Sequence, residues 1–221
     1  MKSINPHKFC FIMCTNDTQY ANESAHYINR LTIPEGYAVE LITITDACSM
    51  TSGYNRAMNS SDAKYKIYMH HDVMLIETDF LFHIIDIFQN KNIGAIGMVG
   101  VKKLADNAIM LHQKRIGMLY SCNIYHLSHF SLDTPAKPYE KVEALDGLLI
   151  ATQYDIPWRE DLFDKWDFYD VSQSFEFRNR GYDIVVPYME KPWCIHDDGF
   201  PDLKEYYKER KKFIDEYFHS L

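Results

Sequence analysis

Apolar runs too brief to be helices recur at short intervals through the first half of the chain, and that rhythm leaves few folds open. The runs are residues 9–14 (FCFIMC), 39–44 (VELITI), 65–69 (YKIYM) and 95–99 (AIGMV). Helical patterns fill the gaps between them. Residues 23–31 form one, stopped by Pro34 and Gly36, and residues 52–59 a second. The third runs from a Thr78 or Asp79 cap to Asn90, with Phe80, Ile84, Ile85, Ile87 and Phe88 at helical spacing. Strand, helix and strand in that order build βαβ units, which predicts one α/β domain with a mostly parallel sheet and helices on both faces.

Downstream the pattern loosens. Residues 102–141 carry Gly117, Pro135 and Pro138 without a clear period and read as a long irregular segment covering a site. A strand over residues 142–152 is broken at Asp146-Gly147. A helix over residues 171–180 ends at Gly181, a strand follows at 184–186, and an amphipathic helix over 203–218 closes the chain. Its Leu203, Tyr207, Ile214 and Tyr217 fall near one side with Lys204, Lys208, Lys211 and Lys212 elsewhere. That layout suits a docking helix, or more weakly a membrane-surface patch.

Charge narrows the partners. Lys plus Arg total 23 and Asp plus Glu 31, a formal charge of −8. Such a chain gains nothing from a polyphosphate backbone, which argues against nucleic acid. An acidic protein that handles an anionic small molecule needs a cation between them. The five cysteines, Cys10, Cys14, Cys48, Cys122 and Cys194, are odd in number and scattered, as expected of free thiols in a reducing compartment. The apolar run at 9–14 is too short for an export core, and no run approaches the roughly 20 residues of a membrane span. The sequence reads as cytoplasmic.

The third strand runs directly into His70-His71-Asp72. Side chains alternate along an extended chain, so His70 and Asp72 point to one side and His71 to the other. Ligands of open α/β sheets gather beyond the carboxyl ends of strands, which is where this tripeptide falls. One imidazole and one carboxylate side by side suit a divalent cation. Asp146 stands in the apolar L-D-G-L-L stretch and is costly there without a partner, so it faces a ligand or shapes a turn with Gly147. Trp158, Trp166 and Trp193 flank the acidic positions and suit either core packing or stacking on sugars.

The stretch S49-M-T-S-G53-Y54-N55-R-A-M, followed by K-I-Y-M-H70-H71-D72-V, resembles GT-A glycosyltransferases of the inverting family-two type. It is most similar to their StrF-like branch, named after a streptomycin-biosynthesis protein, in which His-x-Asp-Val stands in for Asp-x-Asp. Later pieces resemble the same branch in order and spacing: E143-A-L-D146-G147-L-L-I-A-T, W166-D-F-Y169-D170-V-S, G181-Y-D-I-V-V-P and I195-H196-D-D-G. The likeness spans residues 8–199.

This resemblance implies a nucleotide-diphospho-sugar transferase fold, with a nucleotide-binding half over about residues 8–100 and an acceptor half over about 101–221. It implies transfer of a sugar from a nucleotide-diphosphate donor to a saccharide or other hydroxyl acceptor. Thr15, Asn16, Asp17 and Asp46 would face the nucleoside, with Gly53, Asn55 and His71 on the same donor side. Asp72 with His70 would hold Mn²⁺ or Mg²⁺ against the diphosphate, and His196 would complete the shell or touch a phosphate. Imidazole in place of a carboxylate favours Mn²⁺. Asp170 occupies the place of the catalytic base and Asp146 the cavity floor beside the reacting sugar. Asp17, Asp46 and Asp170 are equally good capping or turn residues by type. A catalytically degenerate nucleotide-sugar-binding protein and a metal-dependent phosphohydrolase are the alternatives.

Overall fold

A computed structural model describes residues 3–123, 126–199 and 203–219. The N-terminal half follows the expected alternation: β1 (Asn5–Cys14), α1 (Thr18–Ile28), β2 (Ala38–Ile44), α2 (Met50–Ser60), β3 (Ala63–Met69), β4 (Val73–Leu75), α3 (Phe80–Phe88), β5 (Ile93–Gly97) and β6 (Val99–Val101). The C-terminal half holds β7 (Arg115–Asn123), β8 (His126–Ser131), β9 (Tyr139–Val142), β10 (Ala144–Leu145), β11 (Leu149–Thr152), α4 (Tyr169–Asn179), β12 (Asp183–Pro187), β13 (Cys194–His196) and α5 (Tyr206–Tyr217).

The main sheet has seven strands in the order β2-β1-β3-β11-β5-β12-β9. Strands β2, β1 and β3 run parallel, β11 enters antiparallel between β3 and β5, and β12 lies parallel to β5. The sheet is therefore mixed. Its two faces follow from the two-residue period of a strand. Phe9, Phe11 and Met13 of β1 pack with Phe80, Leu81, Ile84 and Phe88 of α3 on one side. Cys10, Ile12 and Cys14 pack with Tyr54, Ala57 and Met58 of α2 on the other. A second sheet, β10-β6-β7-β13-β4 with β8 beside β7, extends from the carboxyl ends of the main strands.

The described residues of the 102–141 segment are irregular only in part. They contain the β7–β8 hairpin and the edge strand β9. Gly117 reads as a breaker but lies inside β7 at φ +125°, where a Cβ would come within 2.1 Å of the Met98 carbonyl oxygen. It is a close-approach glycine rather than a stop. Helix α1 starts at Thr18, ahead of the expected residue 23, because Asp17 accepts from the Gln19 and Tyr20 amides.

The last helix does not present one apolar stripe outward. Phe213 and Tyr217 are buried against Phe163, Phe168 and Val171, while Leu203 and Tyr207 stay exposed. α5 is thus a docked helix. Among the described residues no helix is long and apolar enough to cross a membrane.

Candidate functional site

The site is built at the carboxyl end of β3. After Met69 the chain stays tied to its neighbour through His70 N–H to the Leu148 carbonyl (3.0 Å), then reverses, with Val73 N–H bonded to the His70 carbonyl (3.3 Å). The reversal sends the chain into β4, which pairs antiparallel with β13 and sets His196 opposite Val73. The Asp197 amide bonds the Asp72 carbonyl at 3.0 Å, locking the register. A residue 124 positions downstream is thereby brought to the strand tip.

There His70, Asp72 and His196 converge, each offering one ligand atom within 4.8 Å of the others. Asp72 Oδ1 lies 3.8 Å from His70 Nδ1 and 3.5 Å from His196 Nε2. That oxygen is buried and accepts no hydrogen bond from the protein. An orphaned buried carboxylate oxygen facing two imidazoles is a costly arrangement unless a cation fills it. The donor set, two nitrogens and a hard oxygen, fits a divalent transition metal. Burial pushes His70 down to about 4, which keeps it neutral, as a ligand must be. Burial disfavours the charge on both Asp72 and His196. Their mutual attraction outweighs it, lowering the carboxyl and raising the imidazole.

Two cavities meet at this cluster. One, of about 380 Å³, is lined by Thr15, Asn16, Thr45, Met50, His71 and Asp72 among others. The second, of about 220 Å³, is lined by Leu111, Asp146, Gly147, Asp170 and Tyr206 among others. His70 and the half-exposed Trp166 belong to both. A larger cavity of about 650 Å³ beside α4 and β12 contains none of the expected site residues.

His71 lines the first cavity together with Asp72 and is pinned by Thr15, whose Oγ1 lies 2.6 Å from His71 Nδ1, and by Tyr20 stacked on its ring. This ties the tips of β1 and β3 together. In the second, Asp170 sits in the first turn of α4, entered through Phe168 at φ +60°. A non-glycine residue in that region is strained, and such strain is held where surroundings fix the chain. Asp170 Oδ1 and Oδ2 accept from the Val171 and Gly147 amides, both at 2.8 Å. Burial, helped by the nearby Asp146 charge, still raises its carboxyl to about 7. Asp146 takes both roles open to it: Oδ1 accepts from the Leu148 amide at 3.2 Å, shaping the turn, and the residue lines the cavity. The Arg115 guanidinium stands 4.0 Å from its Oδ2.

Four expected donor-side residues are placed otherwise. Asp17 is exposed and spends its carboxylate capping α1. Asp46 is exposed and paired with Arg56, in the second turn of α2. Gly53 faces inward, where a Cβ would lie 2.4 Å from Cys14 Sγ and 2.9 Å from Ala47 Cβ, so its small size serves the packing of α2 on the sheet. Asn55 is buried with both side-chain ends engaged by the Trp158 backbone, at 2.9 and 2.8 Å. None of the four lines the first cavity. Two residues gave no sequence signal of their own: Tyr169, whose hydroxyl meets His70 Nε2, and Arg115 beside Asp146. Tyr169 could have been found by its adjacency to Asp170.

The model of a glycosyltransferase-like family matches residues 10–217. No curated protein matches the chain significantly. Among solved structures, Staphylococcus aureus TarS 1–349 in complex with UDP-GlcNAc is similar with a TM-score of 0.60 at 9% identity, over 91% of this chain and 64% of that one. The mannosyltransferase PcManGT from Pyrobaculum calidifontis, in complex with GDP-Man and Mn²⁺, gives 0.54 at 12% identity over 96% and 61%. GalNAc-T7 with UDP, GalNAc and Mn²⁺ gives 0.62 at 9% identity over 97% and 50%. The chain thus spans half to two thirds of the length of these structures. Identities this low carry the fold alone, and that fold is the GT-A arrangement of mixed sheets and helices.

Asn55→Ala should lower the unfolding free energy by about 2–3 kcal/mol, because it strands a buried amide and carbonyl of Trp158. Urea denaturation measures this. A change below about 0.5 kcal/mol would return the side chain to the donor site.

Proposed function

The chain belongs to the glycosyltransferase-like family, and on that premise we propose that it is a metal-assisted, inverting transferase using a nucleotide-diphosphate sugar. One observation carries the reading: the His70–Asp72–His196 cluster borders two cavities that share His70 as a wall, and one of those cavities holds the Asp170 carboxyl, raised by burial to about 7. The UDP, UDP-GlcNAc and GDP-Man in similar structures support a nucleotide-linked donor. The His-x-Asp-Val at residues 70–73 supports placement in the StrF-like branch.

In this reading the nucleoside lies in the first cavity against Thr15, Asn16 and His71, and the diphosphate points toward Asp72. His70, Asp72 and His196 would hold Mn²⁺ or Mg²⁺, which when bound would supply positive charge to the departing diphosphate. The acceptor enters the second cavity, where exposed Trp166 and Leu111 offer apolar faces. Asp170 takes the acceptor hydroxyl's proton while that oxygen forms a bond to the anomeric carbon. The bond from the anomeric carbon to the diphosphate oxygen breaks with its electron pair leaving on the nucleoside diphosphate. A single displacement inverts the anomeric configuration. Five free thiols fit a reducing, cytoplasmic setting.

Asp170→Asn should retain donor binding and lose about 10²–10⁴-fold in turnover. Near-normal turnover in that variant would remove Asp170 from the mechanism. In the native enzyme kcat/KM should climb as pH rises through about 7, as Asp170 ionises, and then level off. Stability should move oppositely. The folded pKa lies above the ordinary value of 3.8, so between about pH 4 and 7 the native state keeps a proton the unfolded state has lost, and the Asp170 contribution falls as pH rises.

A thermal-shift panel of nucleoside diphosphates with Mn²⁺ or Mg²⁺ tests the donor and the ion together. Saturation near 100 times the dissociation constant stabilises by about 2.7 kcal/mol. Mn²⁺ should outperform Mg²⁺ at matched low concentration, since imidazole nitrogen suits the transition metal better. Equal responses would count against the imidazole ligands, and no response to any nucleotide would count against the donor.

A further inference from the structure

We propose that Tyr169 is the positioning residue of the metal centre, holding His70 through Nε2 so that Nδ1 is the ligand nitrogen. The inference rests on the reading of His70, Asp72 and His196 as metal ligands and goes beyond it. The His70 ring has two nitrogens and two neighbours. Nε2 meets the Tyr169 hydroxyl within hydrogen-bonding reach. Nδ1 faces Asp72 Oδ1 at 3.8 Å, on the side where His196 presents its own Nε2. A neutral imidazole that ligates through Nδ1 carries its proton on Nε2, and that N–H donates to the Tyr169 oxygen. The hydroxyl therefore selects both the tautomer and the ring orientation that the cluster requires.

Tyr169 is built to stay where it is. It is 4% exposed, with Tyr54 edge-on at 5.9 Å and Trp158 at 6.0 Å. Its hydroxyl lies over Gly147, where a Cβ would come within 2.1 Å of the oxygen and 2.6 Å of Cζ. Only glycine leaves room for the ring at that point. The same Gly147 donates its amide to Asp170 Oδ2 at 2.8 Å. One turn of α4 thus sends Tyr169 to the strand-tip histidine and Asp170 into the second cavity, and one glycine touches both. Ligand geometry and base position are set by a single packed unit.

Calorimetric titration of Mn²⁺ into the full chain tests this without any acceptor. Relative to native protein, Tyr169→Phe should bind Mn²⁺ about 10–100-fold more weakly, the usual effect of losing a partner that orients a metal-bound histidine. Tyr54→Phe, which removes another buried hydroxyl of the same aromatic cluster without touching His70, should bind as native protein does. Affinity within twofold of native in Tyr169→Phe, or an equal loss in both variants, overturns the proposal. If Tyr169→Phe does not fold, a crystal structure of native protein loaded with Mn²⁺ decides. His70 Nδ1 in the coordination shell with Nε2 on Tyr169 supports it, and Nε2 in the shell overturns it. Native protein that binds no Mn²⁺ at all defeats the metal reading itself, a result distinct from binding that ignores Tyr169.

Discussion

A carboxylate drawn out of water must be answered by opposite charge, and the neighbourhood of Asp72 is organised by that demand. Its Oδ1 is buried, accepts no hydrogen bond, and has two imidazoles 3.5 and 3.8 Å away. The chain reaches this state by ending β3 at Met69, reversing through His70–Asp72, and starting β4 at once. A three-residue strand is weak alone, so β4 is held by its pairing with β13 and by α1, whose Ser24 hydroxyl donates to the Val73 carbonyl at 2.8 Å, and the β13 pairing is what delivers His196. Remove the pairing and the cluster keeps two members, with the carboxylate half answered. The small second sheet is in this sense an accessory of one side chain.

The N-terminal half was legible because local forces decide it. The continuous apolar runs of β1 and β3, buried on both faces, and the apolar spacing of α3 come from side chains packing on their own faces, which sequence records directly. The placement of His70, His71 and Asp72 at a strand end followed from the same logic. The strands β4 and β13 were not legible, since each is three residues long and its partner lies far along the chain, and the β7–β8 hairpin, though local, is too polar to show a period. Asp46 and Asn55 illustrate a different limit. Residue type cannot say which partner wins: Arg56 comes round on α2 to take Asp46, and the buried Trp158 backbone takes Asn55. Competition between partners is settled in three dimensions.

The two cavities are joined by more than proximity. Trp166 and His70 wall both, and Tyr169, buried behind them, bonds one of the shared residues. Asp170 follows Tyr169 directly in the same helical turn, so a shift of that turn would disturb the cluster and the carboxylate together. Phe168 at φ +60° opens the turn without a side-chain cap. Strain at that residue is tolerated because both ends of the segment are pinned, by Phe163 and Phe213 in one cluster and by Tyr54 and Trp158 in the other.

Asp170 shows which electrostatic effect prevails at the site. It sits at a helix N-terminus and accepts two backbone N–H bonds, and each of these favours the anion. Its carboxyl nonetheless rises to about 7, because burial and the Asp146 charge oppose ionisation more strongly. Asp146 has different surroundings: the Arg115 guanidinium lies 4.0 Å from its Oδ2, and the residue lines the second cavity. Raised by burial beside the Asp146 charge, Asp170 becomes the group on this cavity able to exchange a proton near neutrality. The surroundings of the pair, rather than residue type, assign that role to Asp170.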